Sequence, residues 1–524
     1  MKKEKALVLE LFLIKKQVLS VLVFLVVIVN YVNAQDSSKS EAIKPKDFWN
    51  KKPLVKPVYP PYPLMAGFLL VKEANQGDPF AQHELGLRYI MGNGFSPDTA
   101  LGISWLQRAV KSGIPAAHFN YGIMLLNGTG VNWNPFEAFY HFKFAATAGL
   151  PEGMYLLGVL YTDNLLISRN FNLAFYWLNK ASKSGFLPAK QIIDEIIKNG
   201  FLPPADESVK EDDLITAISN NTSTVLDPGY EPELINFEKD STSVNKEDKF
   251  ISKLLQKKIN EIRDFIGCKI DSIDLSVDSV KAVEIIKKAA DNSSPEAVYA
   301  YAKIILSTKD NQIKYAETLL KAMRLGYNSA LFSLNTVINN SKFNDELIKL
   351  VNKKEASALY VISQIRLLNL KFDITYEQAI EYLKLSANKN NVNAINELAV
   401  IYFTGKYDMK NKNEAIKLWE SIKLNDSEAN QRLLFAKLIE NTKEINKEDI
   451  EILKNASDNG SVIADAAMGY VYENGIFTNE KKSLAEKYYR KGSRRGNNYA
   501  YLLLKKLYDD LRPNDEEFII YTEE

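Results

Sequence analysis

The chain has 524 residues, 46% of them hydrophobic and 25% charged, with a formal net charge of +1. That composition is globular, and the length calls for more than one domain or for a repeat array. A charge this close to zero gives no support for nucleic-acid binding by bulk electrostatics, and a single cysteine, Cys268, excludes an internal disulfide framework.

Residues 1–34 read as an export signal. Lys15 and Lys16 precede the apolar run VLSVLVFLVVIV, and Val32, Asn33 and Ala34 offer small or tolerated residues before cleavage. The stretch ahead of the run is long and carries Glu4 and Glu10, so an uncleaved N-terminal anchor is the alternative. No other run is long enough to span a bilayer. The mature chain is expected outside the cytoplasm: periplasmic, in the cell envelope or secreted. Residues 35–63, rich in proline and lysine, are expected to form an extended, semi-rigid spacer.

A helical pattern starts at residue 64 and carries a recurrent fault. In the stretch AQHELGLRYIMGNGF, Ala81, Leu85 and Tyr89 share one face, yet Gly86 sits inside the helix, where glycine costs about 1 kcal/mol relative to alanine. Gly86 recurs at Gly122 and Gly158, each 36 residues on, and Gly77 recurs at Gly113, Gly149 and Gly185 with the same step. The columns return far downstream at Gly460, Gly469 and Gly496. A period in this range signals an α-solenoid of helix pairs, because one pair cannot bury its apolar face alone. The interior glycine is then a packing device that lets helix B of the unit approach helix A. Gly94, Gly130 and Gly475 are expected to end helix A in the left-handed conformation, and Gly77 and its equivalents to end helix B. An alanine four residues past the helix B glycine tracks the array through Ala81, Ala117, Ala189, Ala297, Ala330, Ala358, Ala394, Ala464 and Ala500, with Gly153 and Asn430 in the same column.

The strong units fill an N-terminal block, 64–203. An acidic stretch of weak apolar periodicity, 204–249, is expected to be a flexible linker. A degenerate C-terminal block of about seven units follows over 250–512, opened by an amphipathic helix at 250–267, and 513–524 reads as a polar tail.

The units LGLRYIMGNGF…ALGISWLQRAVKSG, YGIMLLNGTGV…EAFYHFKFAATAG, LGVLYTDN…LAFYWLNKASKSG and MGYVYENGIF…SLAEKYYRKGSRRG resemble the Sel-one-like repeat (SLR) family, short relatives of tetratricopeptide repeats. The chain departs from the pattern where Asn164 and Leu166 replace loop glycines, and where Lys354, Asn390 and Asp426 replace the helix B glycine; loops there are expected to change shape. The resemblance implies a right-handed, all-α solenoid that binds other proteins and carries no conserved catalytic set. It also implies that exported bacterial members act as envelope scaffolds or host-contact factors.

Nothing in the residues points to catalysis. The three histidines, His83, His118 and His141, occupy different columns, and His141 stands where Trp105 and Trp177 stand in neighbouring units. No HExxH, CxxC, GxSxG or phosphate-loop motif is present, so no metal or cofactor is expected. Asn127-Gly-Thr129 and Asn221-Thr-Ser223 match a glycan acceptor pattern that an asparagine-rich chain produces by chance. The basic stretch YYRKGSRRG at 488–496 reads as a solvated helix end, with docking of an acidic partner as the alternative.

Helical geometry supplies the binding candidates. With Ala81, Leu85, Gly86 and Tyr89 turned toward helix B, the opposite side of helix A carries Phe80, Glu84, Leu87 and Met91. The matching positions include Asn120 and Ile123 in the second unit, and Leu156 and Val159 in the third. Leu87, Ile123 and Val159 form an apolar column that either lines a concave binding face or packs between neighbouring A helices. The sequence thus predicts an exported, non-enzymatic scaffold whose partners are proteins, with no nucleic acid, and it leaves membrane association and oligomeric state open. An envelope carbohydrate or peptidoglycan binder is the alternative, with Trp133 as its most exposed stacking platform.

Overall fold

The computed structural model describes residues 62–198, 279–303, 312–370 and 372–520. The export signal, most of the spacer, the acidic linker, the 250–267 helix and Cys268 lie outside the described residues. Among the described residues the structure is all-α, with no strand, and it divides into two compact units.

The N-terminal unit contains α1 (Gly67–Asn75), α2 (Pro79–Met91), α3 (Thr99–Lys111), α4 (Pro115–Asn127), α5 (Pro135–Thr147), α6 (Pro151–Leu160), α7 (Phe171–Lys183) and α8 (Leu187–Lys198). Even-numbered α2, α4 and α6 are the A helices, packed on α3, α5 and α7 respectively. The B helices start at a column the sequence reading passed over. Asp98, Asn134 and Asn170, each 36 apart, accept from the backbone N–H of Leu101, Glu137 and Leu173. Each such cap is worth about 1 kcal/mol.

The glycine question is answered by distances. A Cβ on Gly86 would lie 2.8 Å from the carbonyl oxygen of Gly102 and 3.0 Å from the nitrogen of Leu106, both on α3. At Gly122 it would meet the Phe142 ring at 2.7 Å, and at Gly158 the Leu178 side chain at 2.7 Å. At Gly86 the backbone of helix B fills the space a side chain would need, and at Gly122 and Gly158 a helix B side chain fills it. The helix ends differ slightly from expectation: α2 and α4 stop at Gly92 and Gly128, which take the left-handed cap, while Gly94 and Gly130 adopt positive φ two residues later in the loop.

The C-terminal unit contains α9 (Ser279–Asp291), α10 (Pro295–Tyr301), α11 (Gln312–Arg324), α12 (Ala330–Ile338), α13 (Ser341–Asn352), α14 (Ala356–Leu367), α15 (Tyr376–Asn388), α16 (Val392–Thr404), α17 (Lys412–Ile422), α18 (Ser427–Glu440), α19 (Lys447–Asp458), α20 (Val462–Glu473), most of α21 (Lys482–Arg494) and the first half of α22 (Asn498–Asp509), whose residues from Lys505 on belong with the N-terminal unit. The alanine column is fully buried at each of its nine positions in both units, which is why it survives where other signals fade. Two corrections concern the departures. Lys354 and Asn390 adopt φ of 54° and 60°, the conformation of the glycines they replace, so those turns keep their shape at a cost of about 1–2 kcal/mol each. Asp426 is not a glycine equivalent: it caps α18 by accepting from Ala429 N–H, and Ala429, not Asn430, fills the alanine slot.

This unit is also tied together over long sequence separations. Arg495 donates to both carboxylate oxygens of Glu296, 199 positions away, at 2.9 and 2.7 Å, and pairs with Asp465 at 3.2 Å. Lys491 donates to Asp465 at 2.7 Å. The basic stretch at 488–496 is therefore not a solvated end; Arg495 is 2% exposed and Tyr489 is fully buried. A second network joins Arg324 to Glu428, 104 positions away, through two hydrogen bonds of 2.8 and 2.9 Å, with Asn393 and Tyr360 completing the guanidinium shell. Burial alone would raise the Glu428 carboxyl, but the Arg324 guanidinium outweighs it and holds the group well below the carboxylate range.

Candidate functional site

The eight predicted binding positions are packed rather than displayed. Leu87, Ile123 and Val159 are 6%, 3% and 8% exposed, and Glu84, Asn120 and Leu156 are buried with them. Phe80 and Met91 are half-buried. The far sides of α2 and α4 meet, with Asn120 on α4 2.9 Å from His83 on α2. Glu84 pairs with Arg88 at 2.8 Å, and Arg88 also donates to the carbonyls of Met65 and Tyr62.

Trp133 is also covered. It is 8% exposed and stands edge-on to Tyr508 with ring centroids 5.4 Å apart. The described residues 505–520 belong with the N-terminal unit, so the end of the C-terminal block and the start of the polar tail expected from the sequence pack there.

The docked segment runs along α5 and the loop after α6. Its anchor is Phe518, fully buried, with Phe136, Phe139 and Tyr140 around it at centroid distances of 4.9, 5.6 and 5.3 Å, all edge to face. Such pairs add about 0.5–1.5 kcal/mol each beyond area burial. Around the anchor lies a polar rim. Tyr140 OH donates to Asp515 at 2.7 Å, Lys143 Nζ to Glu517 at 2.5 Å, and Ser168 Oγ to the carbonyl of Ile519 at 2.8 Å. Partial burial, followed by the hydrogen bond and charge of Asp515, pushes the Tyr140 hydroxyl up to about 12, so it remains a donor at any physiological pH.

Arg512 joins the segment to the loop. Its guanidinium lies over the Phe136 ring at 5.3 Å and donates to the carbonyls of Leu165 and Leu166 at 2.8 and 3.0 Å, and to that of Phe518 at 2.8 Å. Here the departure of the third unit acquires a reason. Where Gly128 and Gly130 shape the preceding loop, Asn164 and Leu166 reshape this one, burying Leu165, Leu166 and Ile167. The sequence showed the missing glycines but no reason for them.

The three histidines are held in the packing of the N-terminal unit. His83 is fully buried, and burial lowers it to about 4. His118 donates from Nε2 to the Val110 carbonyl at 3.1 Å, which leaves its Nδ1 to accept from His141 Nδ1 at 2.9 Å. Among the described residues no group of three His, Cys, Asp or Glu side chains is placed to hold a metal, and no helix is long and apolar enough to cross a membrane.

These features define an all-α helical-repeat protein in which one surface of the N-terminal unit is covered by a segment of its own chain. The family model described as Sel1 repeat matches residues 79–114, 115–150, 151–186, 270–294, 375–391, 392–422 and 462–497. The solved structure of a Sel1 repeat protein from Oxalobacter formigenes is 34% identical, covering 24% of this chain and 96% of that one, with a TM-score of 0.24. A protective antigen present in uropathogenic Escherichia coli strains, displaying an SLR fold, is 18% identical over 85% of this chain and 83% of that one, with a TM-score of 0.25. No curated protein matches the chain. The chain belongs to the Sel1 repeat family, whose members are helical-repeat scaffolds that generally mediate protein interactions and are typically non-catalytic.

Proposed function

We propose that this protein is an exported, non-enzymatic scaffold that holds other polypeptides against its repeat surfaces. One observation carries the reading: the N-terminal unit already holds a polypeptide segment, residues 510–520, by a single buried aromatic and a polar rim. Extended-segment recognition by an anchor pocket plus main-chain contacts is a general mode of protein binding. Export is supported by the order of basic residues, apolar run and small-residue exit at the N-terminus. The carbohydrate reading loses its leading platform, because Trp133 is covered by Tyr508.

The test places a photo-crosslinking residue at exposed positions, Leu187 and Phe144 on the N-terminal unit and Phe332 on the C-terminal unit, in the native host. Adducts that contain a discrete polypeptide support the scaffold reading. Adducts with glycan or lipid alone overturn it. N-terminal sequencing of the mature protein tests export separately: a start near residue 35 supports it, and an intact Met1 on a cytoplasmic pool contradicts it.

A further inference from the structure

We infer that the α5 groove is a docking site for acidic polypeptide segments anchored by a phenylalanine, and that residues 510–520 are its resident intramolecular ligand, displaced by a partner segment of the same chemistry. The inference rests on the scaffold reading and specifies what one surface of that scaffold recognises.

The resident segment displays the code. Asp515, Glu517 and Phe518 occupy a short 3-10 turn and the residue before it, which presents two carboxylates to Tyr140 and Lys143 while the ring enters the pocket. The pocket selects an aromatic ring, because Phe136, Phe139 and Tyr140 all present faces or edges to it. The rim selects acid, because the groups aimed at the segment from α5 are a phenolic donor and an ammonium.

Three features suit exchange rather than permanent closure. The rim contacts are partly open to water: Lys143 and Glu517 are 32% and 28% exposed, where an ion pair contributes about 0–1 kcal/mol. Asn514, Asp515 and Glu516 are exposed and leave the backbone accessible ahead of the anchor. The outer face of α5 also continues past the segment, with Phe144 still 40% exposed one turn beyond Tyr140. A partner longer than the resident segment would cover Phe144 as well, an apolar contact the resident does not make. The resident competes through its tether, since a short linker gives an effective concentration on the order of millimolar.

The test uses a labelled synthetic peptide, DDLRPNDEEFII, corresponding to residues 509–520, and a control peptide carrying Phe518→Ser. Binding is read by fluorescence anisotropy to the full chain and to full-chain Phe518→Ala. The expected result is at least 10-fold tighter binding to Phe518→Ala than to the native chain, with the control peptide at least 10-fold weaker than the native peptide on the same variant. A folded Phe518→Ala chain that binds neither peptide, or binds both alike, overturns the inference. If that variant does not fold, a protease site is inserted between Pro513 and Asn514 of the otherwise native chain and cut after folding. Exchange of the released segment for the labelled peptide supports the inference; a cut segment that excess peptide does not displace overturns it. Peptide failure alongside polypeptide crosslinks elsewhere removes the groove and leaves the scaffold reading intact. Peptide binding without any polypeptide crosslinks does the reverse.

Discussion

Arg512 and Leu166, 346 positions apart, share a 3.0 Å hydrogen bond from the guanidinium to the main-chain carbonyl. The adjacent carbonyl of Leu165 accepts from the same side chain at 2.8 Å. A buried carbonyl without a donor costs free energy comparable to a lost hydrogen bond, so Arg512 supplies what this reshaped loop requires. Arg512→Lys should open the loop, because an ammonium cannot present the planar fork. Charged hydrogen bonds of this kind contribute about 1.5–3 kcal/mol. Hydrogen exchange over residues 161–170 should accelerate in the variant, while α3 stays protected.

The two glycine contacts on helix A predict unequal tolerance. Gly86→Ala gains about 1 kcal/mol of helix propensity and places a methyl 2.8 Å from a carbonyl oxygen. Neither helix backbone can move without the other, and overpacking typically costs about 1–3 kcal/mol. Gly122→Ala meets the edge of the Phe142 ring, which can tilt. Thermal melting should show Gly86→Ala as the less stable of the two variants. Equal melting temperatures would remove backbone proximity as the reason for the glycine.

Acid should weaken the N-terminal unit. Burial lowers His83 to about 4 in the folded chain, against an ordinary value near 6.5. The unfolded chain therefore binds more protons between those values, so stability is fully present above about 6.5 and is lost as pH falls toward 4. The shift corresponds to roughly 3 kcal/mol. His141, lowered to about 4 by burial and then by His118, acts in the same direction. Urea midpoints for the native chain should drop between pH 7 and 4.5, and His83→Gln should reduce that drop. A parallel decline in both proteins would contradict the assignment.

Arg495 should be costly to remove. Arg495→Leu leaves the Glu296 carboxylate in the interior without its guanidinium partner, a change typically worth about 3–5 kcal/mol. Adding Glu296→Gln should recover part of the loss, because the uncompensated charge is then gone. A double-mutant cycle on urea unfolding of the C-terminal unit measures the coupling; additive effects would mean the pair contributes no more than its separate packing.

Much of the fold was legible because it repeats. A glycine that recurs every 36 residues points to a close approach, and the buried alanine column confirms each helix pair down to Ala500. Where repeats degenerate, legibility fell to local chemistry: Asp426 looked like a lost glycine and is a helix cap. The site was less legible for a physical reason. Leu87, Ile123 and Val159 are apolar on the side away from helix B, and one helix's periodicity does not say whether solvent or the next unit lies there. Phe518 was hidden by its neighbours, since Asp515, Glu516 and Glu517 make the stretch read as solvated. The missing glycines at Asn164 and Leu166 were the signal that could have pointed to it.

The most direct test of the docked segment is a zero-length carbodiimide crosslink. Lys143 Nζ and Glu517 Oε1 are 2.5 Å apart, close enough for an amide with no spacer. Peptide mapping of the monomer fraction should recover a Lys143–Glu517 isopeptide, and Phe518→Ala should deplete it. A monomer fraction without that isopeptide, under conditions where Lys412 and Glu440, also 2.5 Å apart, do crosslink, would contradict docking of the segment on α5.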